Sequence, residues 1–213
     1  MSVEALHTPE VGEDRPWWRS PFVIGFVLGA IVLTLLPFIQ RLALHAPPPL
    51  EPIPAWVLQD AAVGSVAMES LHGKVWLASF IPAPCDEDCK QSVDRFIGAA
   101  RYLEDLGDKV ALVTFVRPES RAVTDGIVGP AGLRWLRLSG QPAALDPTFN
   151  AFARGWDKQT RALTDRNIQF LARPTFAVVD QDGSVRGFWP ADDEGRGHAI
   201  NAARMFVRYG AQP

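Results

Sequence analysis

Lys74-Val75-Trp76-Leu77-Ala78-Ser79-Phe80-Ile81-Pro82-Ala83-Pro84-Cys85-Asp86-Glu87-Asp88-Cys89-Lys90 decides the fold. Its first eight residues are a short apolar run rich in β-branched and aromatic side chains, the composition of a buried strand. Gly73 punctuates the start, and Pro82 and Pro84 end it. Beyond the prolines the period changes. Val93, Phe96, Ile97, Ala100, Leu103 and Leu106 recur at helical spacing, so a helix is expected from Asp86 to Leu106. Asp86, Glu87 and Asp88 suit the positive end of its dipole. A cysteine pair therefore stands between a buried strand and the helix that follows it.

Cys85 and Cys89 are the only two cysteines in the chain. Sulfurs at i and i+4 share one helix face, at a separation that a disulfide can close. Two thiolates so placed could also hold one soft ion such as Cu(I). As a static staple the pair would contribute little, because a ring this small removes little chain entropy. Unpaired helix N–H groups favour thiolate at Cys85, while the three acids oppose it. The pair is thus read as a redox couple, a metal clamp or a structural disulfide.

The remaining elements read outward from this core. Val110 to Val116 is a second buried strand, and Arg117-Pro118-Glu119-Ser120 leads into a short helix. Arg134 to Leu138 is a strand. Asp146-Pro147 opens a helix to about Ala153, with the proline at its first position. Thr175 to Val179 and Val185 to Trp189 form a hairpin about Asp182-Gly183. Ala199 to Tyr209 closes the chain as a helix. The order β-α-β-α-β-α-β-β-α is an α/β layered fold, in which sites gather at the carboxyl ends of the strands.

Upstream, Phe22 to Ile39 is a run of 18 residues without charge, against the roughly 20 that span a bilayer core. Trp17 and Trp18 fall at headgroup level. The run exceeds the usual signal-peptide apolar region. The preceding tail, with Glu4, Glu10, Glu13 and Asp14, is not a positive leader. Arg15 and Arg19 precede the span and Arg41 follows it, favouring a cytoplasmic amino terminus. The expected organisation is a tail at 1–20, a transmembrane helix at 21–40, a Pro-rich linker at 41–55 and a globular domain at 56–213. The linker would hold the domain roughly 15–25 Å off the membrane. The expected location is the inner (cytoplasmic) membrane, single-pass, with the domain on the periplasmic side, where a disulfide is at home.

The net charge of −3 and the absence of a Lys/Arg block argue against nucleic acid as a partner. There is no Gly-rich phosphate loop, supported Ser-His-Asp set or His-rich zinc pattern.

Five stretches in order resemble the Sco/SenC family of membrane-tethered, thioredoxin-like copper chaperones for respiratory oxidase assembly. They are Leu71-His72-Gly73-Lys74-Val75-Trp76, Cys85-Asp86-Glu87-Asp88-Cys89, Phe115 to Arg121, Trp135 to Gly140, and Val178 to Gly187. The C-x-x-x-C spacing is the family's. The resemblance implies a thioredoxin-like fold of Sco type, Cys85 and Cys89 as copper ligands or redox pair, and an oxidase subunit as partner.

Three features depart from the family. Asp86 and Lys90 replace the prolines that usually follow each cysteine. The family's copper-ligating histidine would fall at Ala172 or Arg173, whereas the histidines here are His7, His45, His72 and His198. Arg173-Pro174-Thr175 instead resembles the cis-proline segment of thioredoxins, so Pro174 is a candidate site residue facing the cysteines. These departures favour thiol–disulfide chemistry over metal delivery. The expected function is oxidase copper-site assembly through thiol exchange, with Cu(I) binding in addition. The alternatives are a general periplasmic thiol–disulfide oxidoreductase acting on exported thiol proteins, and a non-catalytic scaffold with a structural disulfide.

Overall fold

Every residue of strand β4, Val75–Ile81, is buried, because it lies between two layers of helices. The structure, a computed structural model, describes residues 21–43, 48–130, 132–162 and 173–210. Two units result, Met1–His45 and Ala46–Pro213. In the first, helix α1 spans Pro21–Ala43 and leaves Phe22 and Phe26 exposed. Among the residues whose side chains are described, which in α1 end at residue 36, no helix is long and apolar enough to cross a membrane. Trp17, Trp18 and the rest of the 1–20 tail lie outside the described residues.

The second unit contains β1 (Glu51–Pro52), β2 (Val57–Asp60), β3 (Gly64–Ala67), β4, α2 (Glu87–Ala100), β5 (Val110–Val116) and β6 (Arg134–Ser139). These are followed by α3 (Pro142–Ala162), β7 (Thr175–Val179), β8 (Ser184–Pro190) and α4 (Asp193–Tyr209). One sheet runs β1-β8-β7-β4-β5-β6-β2-β3. β4, β5 and β6 are parallel, β7 runs against β4, and β8 runs against β7 and so returns to the direction of β4.

Alternation along the strands divides the core. Trp76, Ala78 and Phe80 face α3, where they meet Phe115, Phe149 and Phe152. Val75 and Leu77 face α2 and α4, with Phe96, Phe176 and Phe206. A third group at the carboxyl end of β4 joins Ile81, Val93 and Val116 to Cys89.

Several boundaries differ from the sequence reading. The expected linker at 41–55 is shortened, because Leu50 and Ile53 donate backbone hydrogen bonds to β8 residues or their turn, and Glu51 and Pro52 pair with Val185 and Ser184. The hairpin of β2 and β3 was not anticipated. Buried Asp60 fixes it, accepting from Ala62 N, Val63 N and Arg137 N. α2 ends at Ala100, and a 3-10 segment, Glu104–Lys109, completes the expected stretch. α3 begins five residues earlier than expected, with Pro142 taking the first position and Pro147 inside the helix. α4 starts at Asp193 despite Gly195 and Gly197, capped by the Asp192 carboxylate on Gly195 N at 2.7 Å. Gly195 is needed there, since a Cβ would lie 2.0 Å from the Pro190 carbonyl oxygen.

β1 covers only the start of β8. Further along, the Gln159 side-chain amide donates to Phe188 O and accepts from Phe188 N, both at 2.8 Å. A side chain thus imitates a strand and satisfies an edge that would otherwise invite another chain.

Candidate redox site at the carboxyl end of the central strand

β4 releases the chain at Pro82, which begins the loop carrying the cysteines. Ser120 Oγ donates to Pro82 O at 2.7 Å, and Arg117 N donates to Ile81 O at 3.2 Å. The segment after β5 thereby fixes the exit of β4. Helix α2 then starts with Asp86 as its N-cap, the carboxylate accepting from Cys89 N at 2.9 Å. An Asp at this position satisfies an N–H that has no partner within the helix.

Cys85 and Cys89 are joined as a disulfide, with Cα atoms 5.4 Å apart. The two sulfurs are not equivalent. Cys85 precedes the cap and is half-buried, whereas Cys89 is the third helical residue and only 2% exposed. Cys89 rests on Ile81, Val93 and Val116, and its carbonyl accepts from Ser92 Oγ at 2.6 Å. An incoming thiolate can approach the Cys85 side far more readily than the buried one. Exposure thus distinguishes the pair. The helix dipole, on which the sequence reading relied, acts at least as closely on Cys89.

A cavity of about 390 Å³ opens beside the first turn of α2, with Asp88, Arg95, Trp156, Pro174 and Ala191 among its walls. Arg95 Nη1 donates to Ala191 O at 3.2 Å, holding α2 against the turn between β8 and α4. Pro174 therefore shares a cavity with the helix that carries Cys89. The cis-proline expectation is corrected: the cis peptide bond among the described residues is Ala83–Pro84, and Arg173–Pro174 is trans. Pro174 enters as a residue opening β7, and its carbonyl extends the hairpin by accepting from Ala191 N at 2.9 Å.

The histidines do not converge on the pair. His72 lies between a 3-10 turn and β4, at the amino end of the sheet. His198 is exposed on α4, 3.7 Å from Glu194. His7, His45 and Ala172 lie outside the described residues, and Arg173 is exposed. Among the described residues no group of three or more His, Cys, Asp or Glu side chains could hold a metal ion. The donor set on offer to Cu(I) is two sulfurs, available only after the disulfide is reduced. That set suits linear coordination and lacks the third donor of a three-coordinate site.

The cap role of Asp86 was missed in the sequence, although an Asp three residues before Cys89 at a helix start carries that signal. Trp156 and Asp192 had no comparable signal, since only the fold brings them to the cavity.

No family model matches the chain, and no curated protein matches it by sequence. Solved structures do match. BsSco, described as a member of the Sco family of cytochrome c oxidase assembly proteins, aligns at TM-score 0.56 and 18% identity, covering 78% of this chain and 99% of its own. Copper-bound ScoI of Bradyrhizobium japonicum aligns at TM-score 0.51 and 17% identity, covering 72% and 98%. The thioredoxin domain of a thiol-disulfide oxidoreductase from Bacteroides vulgatus aligns at 0.52 and 15%, covering 75% and 98%. The structural neighbours of this chain thus include Sco-family proteins, and its folded unit has the thioredoxin-like α/β fold they share.

Proposed function

We propose that this chain is a membrane-anchored Sco-like protein that exchanges disulfides with exported thiols, serving the assembly of a respiratory oxidase copper site. The observation that carries the reading is the asymmetric disulfide: a half-buried Cys85 bonded to a Cys89 that is 2% exposed, at the start of the first core helix. In exchange, a partner thiolate attacks Cys85 Sγ in line with the S–S bond. Cys89 Sγ leaves with the electron pair and takes up a proton. A second thiol of the partner then attacks the mixed disulfide, so the partner leaves oxidised and the pair is a dithiol. In the opposite direction the Cys85 thiolate attacks a partner disulfide and Cys89 resolves it.

The anchor is supported by the charge-free run Phe22 to Ile39 and by the exposed apolar side chains of α1. The arginine distribution favours export of the folded unit, and a periplasmic location suits a cycling disulfide. An oxidase subunit is the proposed partner because a neighbouring protein, BsSco, belongs to a family of oxidase assembly proteins. Cu(I) is the proposed cargo of the reduced pair, by likeness to copper-bound ScoI. With two sulfurs as donors, its affinity is expected to fall at least about 10–100-fold below that of a site with a third ligand.

The test is trapping. Full-length Cys89→Ser, in detergent or vesicles, is mixed with a peptide carrying an oxidase-type cysteine pair in disulfide form. A mixed disulfide through Cys85, absent from Cys85→Ser, is the expected result. A pair that forms no mixed disulfide and stays oxidised in strong thiol buffers would leave the structural-disulfide alternative. Tight stoichiometric Cu(I) binding by the reduced chain would move the main role to metal delivery.

A further inference from the structure

Asp86 is the one acidic residue of the Cys85–Cys89 loop whose carboxylate is tied to the redox pair, through the Cys89 backbone N–H at 2.9 Å. Glu87 and Asp88 are exposed, and Glu87 lies 3.5 Å from Lys90. While the disulfide is intact its sulfurs carry no charge, and Asp86 is a well-placed cap. Reduction places two electrons on the sulfurs and part of a negative charge beside the helix start. The N–H that could support this charge is already held by Asp86, which also brings its own negative charge. Cys89 is nearly inaccessible to water, so its sulfur depends on nearby protein dipoles for that support.

We infer that Asp86 is a positioning residue that makes the pair a stronger reductant, favouring the disulfide over the dithiol. This deepens the thiol–disulfide reading above and rests on it. The S–S bond breaks, a partner dithiol supplies two electrons and two protons and leaves as a disulfide, and in the thiolate fraction of the reduced pair one of those protons passes to solvent. An uncharged residue at position 86 then makes that step more favourable. Asn suits the purpose because it caps helices about as well as Asp.

The experiment equilibrates the full-length protein with glutathione or dithiothreitol redox buffers and counts free thiols by alkylation mass shift. Asp86→Asn is expected to raise the equilibrium constant for reduction about three- to tenfold, the upper figure being about 30 mV for a two-electron couple. Its unfolding midpoint should stay near that of the parent. The shift should shrink in high salt, because Asp86 is exposed and its field is screened. Glu87→Gln with Asp88→Asn should shift the constant less. Asp86→Ala should shift the constant at least as far as Asn, because it also frees the Cys89 N–H, while losing helix stability. An unchanged constant in Asp86→Asn, or a shift in Ala alone, overturns the proposal by reducing Asp86 to a cap. A parent protein whose pair never equilibrates with thiols overturns the redox reading itself, and this inference with it.

Discussion

The two faces of the sheet are built from different materials. Under α3, rings pack on rings: Phe80 and Phe152 have centroids 4.7 Å apart, and Phe115 lies 5.6 Å from Phe152. Under α2 and α4, alanines 99, 100, 199 and 203 share the layer with Phe96, Phe176 and Phe206. Small residues let the two helices approach the sheet and each other. The disulfide sits at the end of this second layer, over Ile81, Val93 and Val116. Aromatic burial thus concentrates on the face away from the chemistry. The reactive face keeps one sulfur covered and the other within reach, and its helix starts are fixed by carboxylate caps.

The largest expected effect breaks the aromatic face. Phe152→Ala should destabilise the folded unit by about 3–5 kcal/mol, the usual cost of deleting a buried ring. Urea unfolding followed by circular dichroism would measure it. Under native conditions thiol exchange at Cys85 should change less than about twofold; a large loss would show that the faces are coupled. On the opposite face, Cys85→Ser should abolish exchange while costing about 2 kcal/mol or less, the chain-entropy value for so small a ring. The same unfolding experiment compares them directly, and a greater loss than from Phe152→Ala would reverse the assigned division of labour.

A smaller effect belongs to the second helix cap on the reactive face. Asp192→Ala should cost about 1 kcal/mol through loss of its bond to Gly195 N. Hydrogen exchange should rise in the first turn of α4 and remain unchanged in β5. The smallest effect is at the edge of the α3 face. Lys158 and then Arg154, each hydrogen-bonded to Glu51 at 2.6 Å, hold its carboxyl below the usual carboxylate value. A depressed folded-state pKa means that this stabilisation is complete above the unfolded pKa and is lost as pH falls through the folded one. Glu51→Gln should therefore cost under about 1 kcal/mol at neutral pH, with the difference from the parent vanishing in strong acid. A difference that persists there would point to packing rather than charge.

The parts legible in sequence were those with strong local signals. β4, β5 and β7 are apolar runs buried on both faces, and α2 repeats its apolar residues at helical spacing. β2 and β3 gave no such signal. They are four residues each, with Val57 exposed and Asp60 buried, and they exist because they pair with each other and with β6. Such pairing is non-local and leaves little trace in any short window. The beginning of α4 was hidden because glycines argue against a helix, although Gly195 is there to admit the Pro190 carbonyl.

By itself, then, the sequence determined that a cysteine pair of C-x-x-x-C spacing joins a buried strand to a helix in an α/β fold, because periodicity and punctuation are local properties of the chain. Only the tertiary structure decided which sulfur is reachable, that Asp86 occupies the Cys89 N–H, and that Pro174 and Trp156 share a cavity with α2. Exposure and contact depend on which distant segments pack over a residue, and strand pairing across the whole sheet sets that.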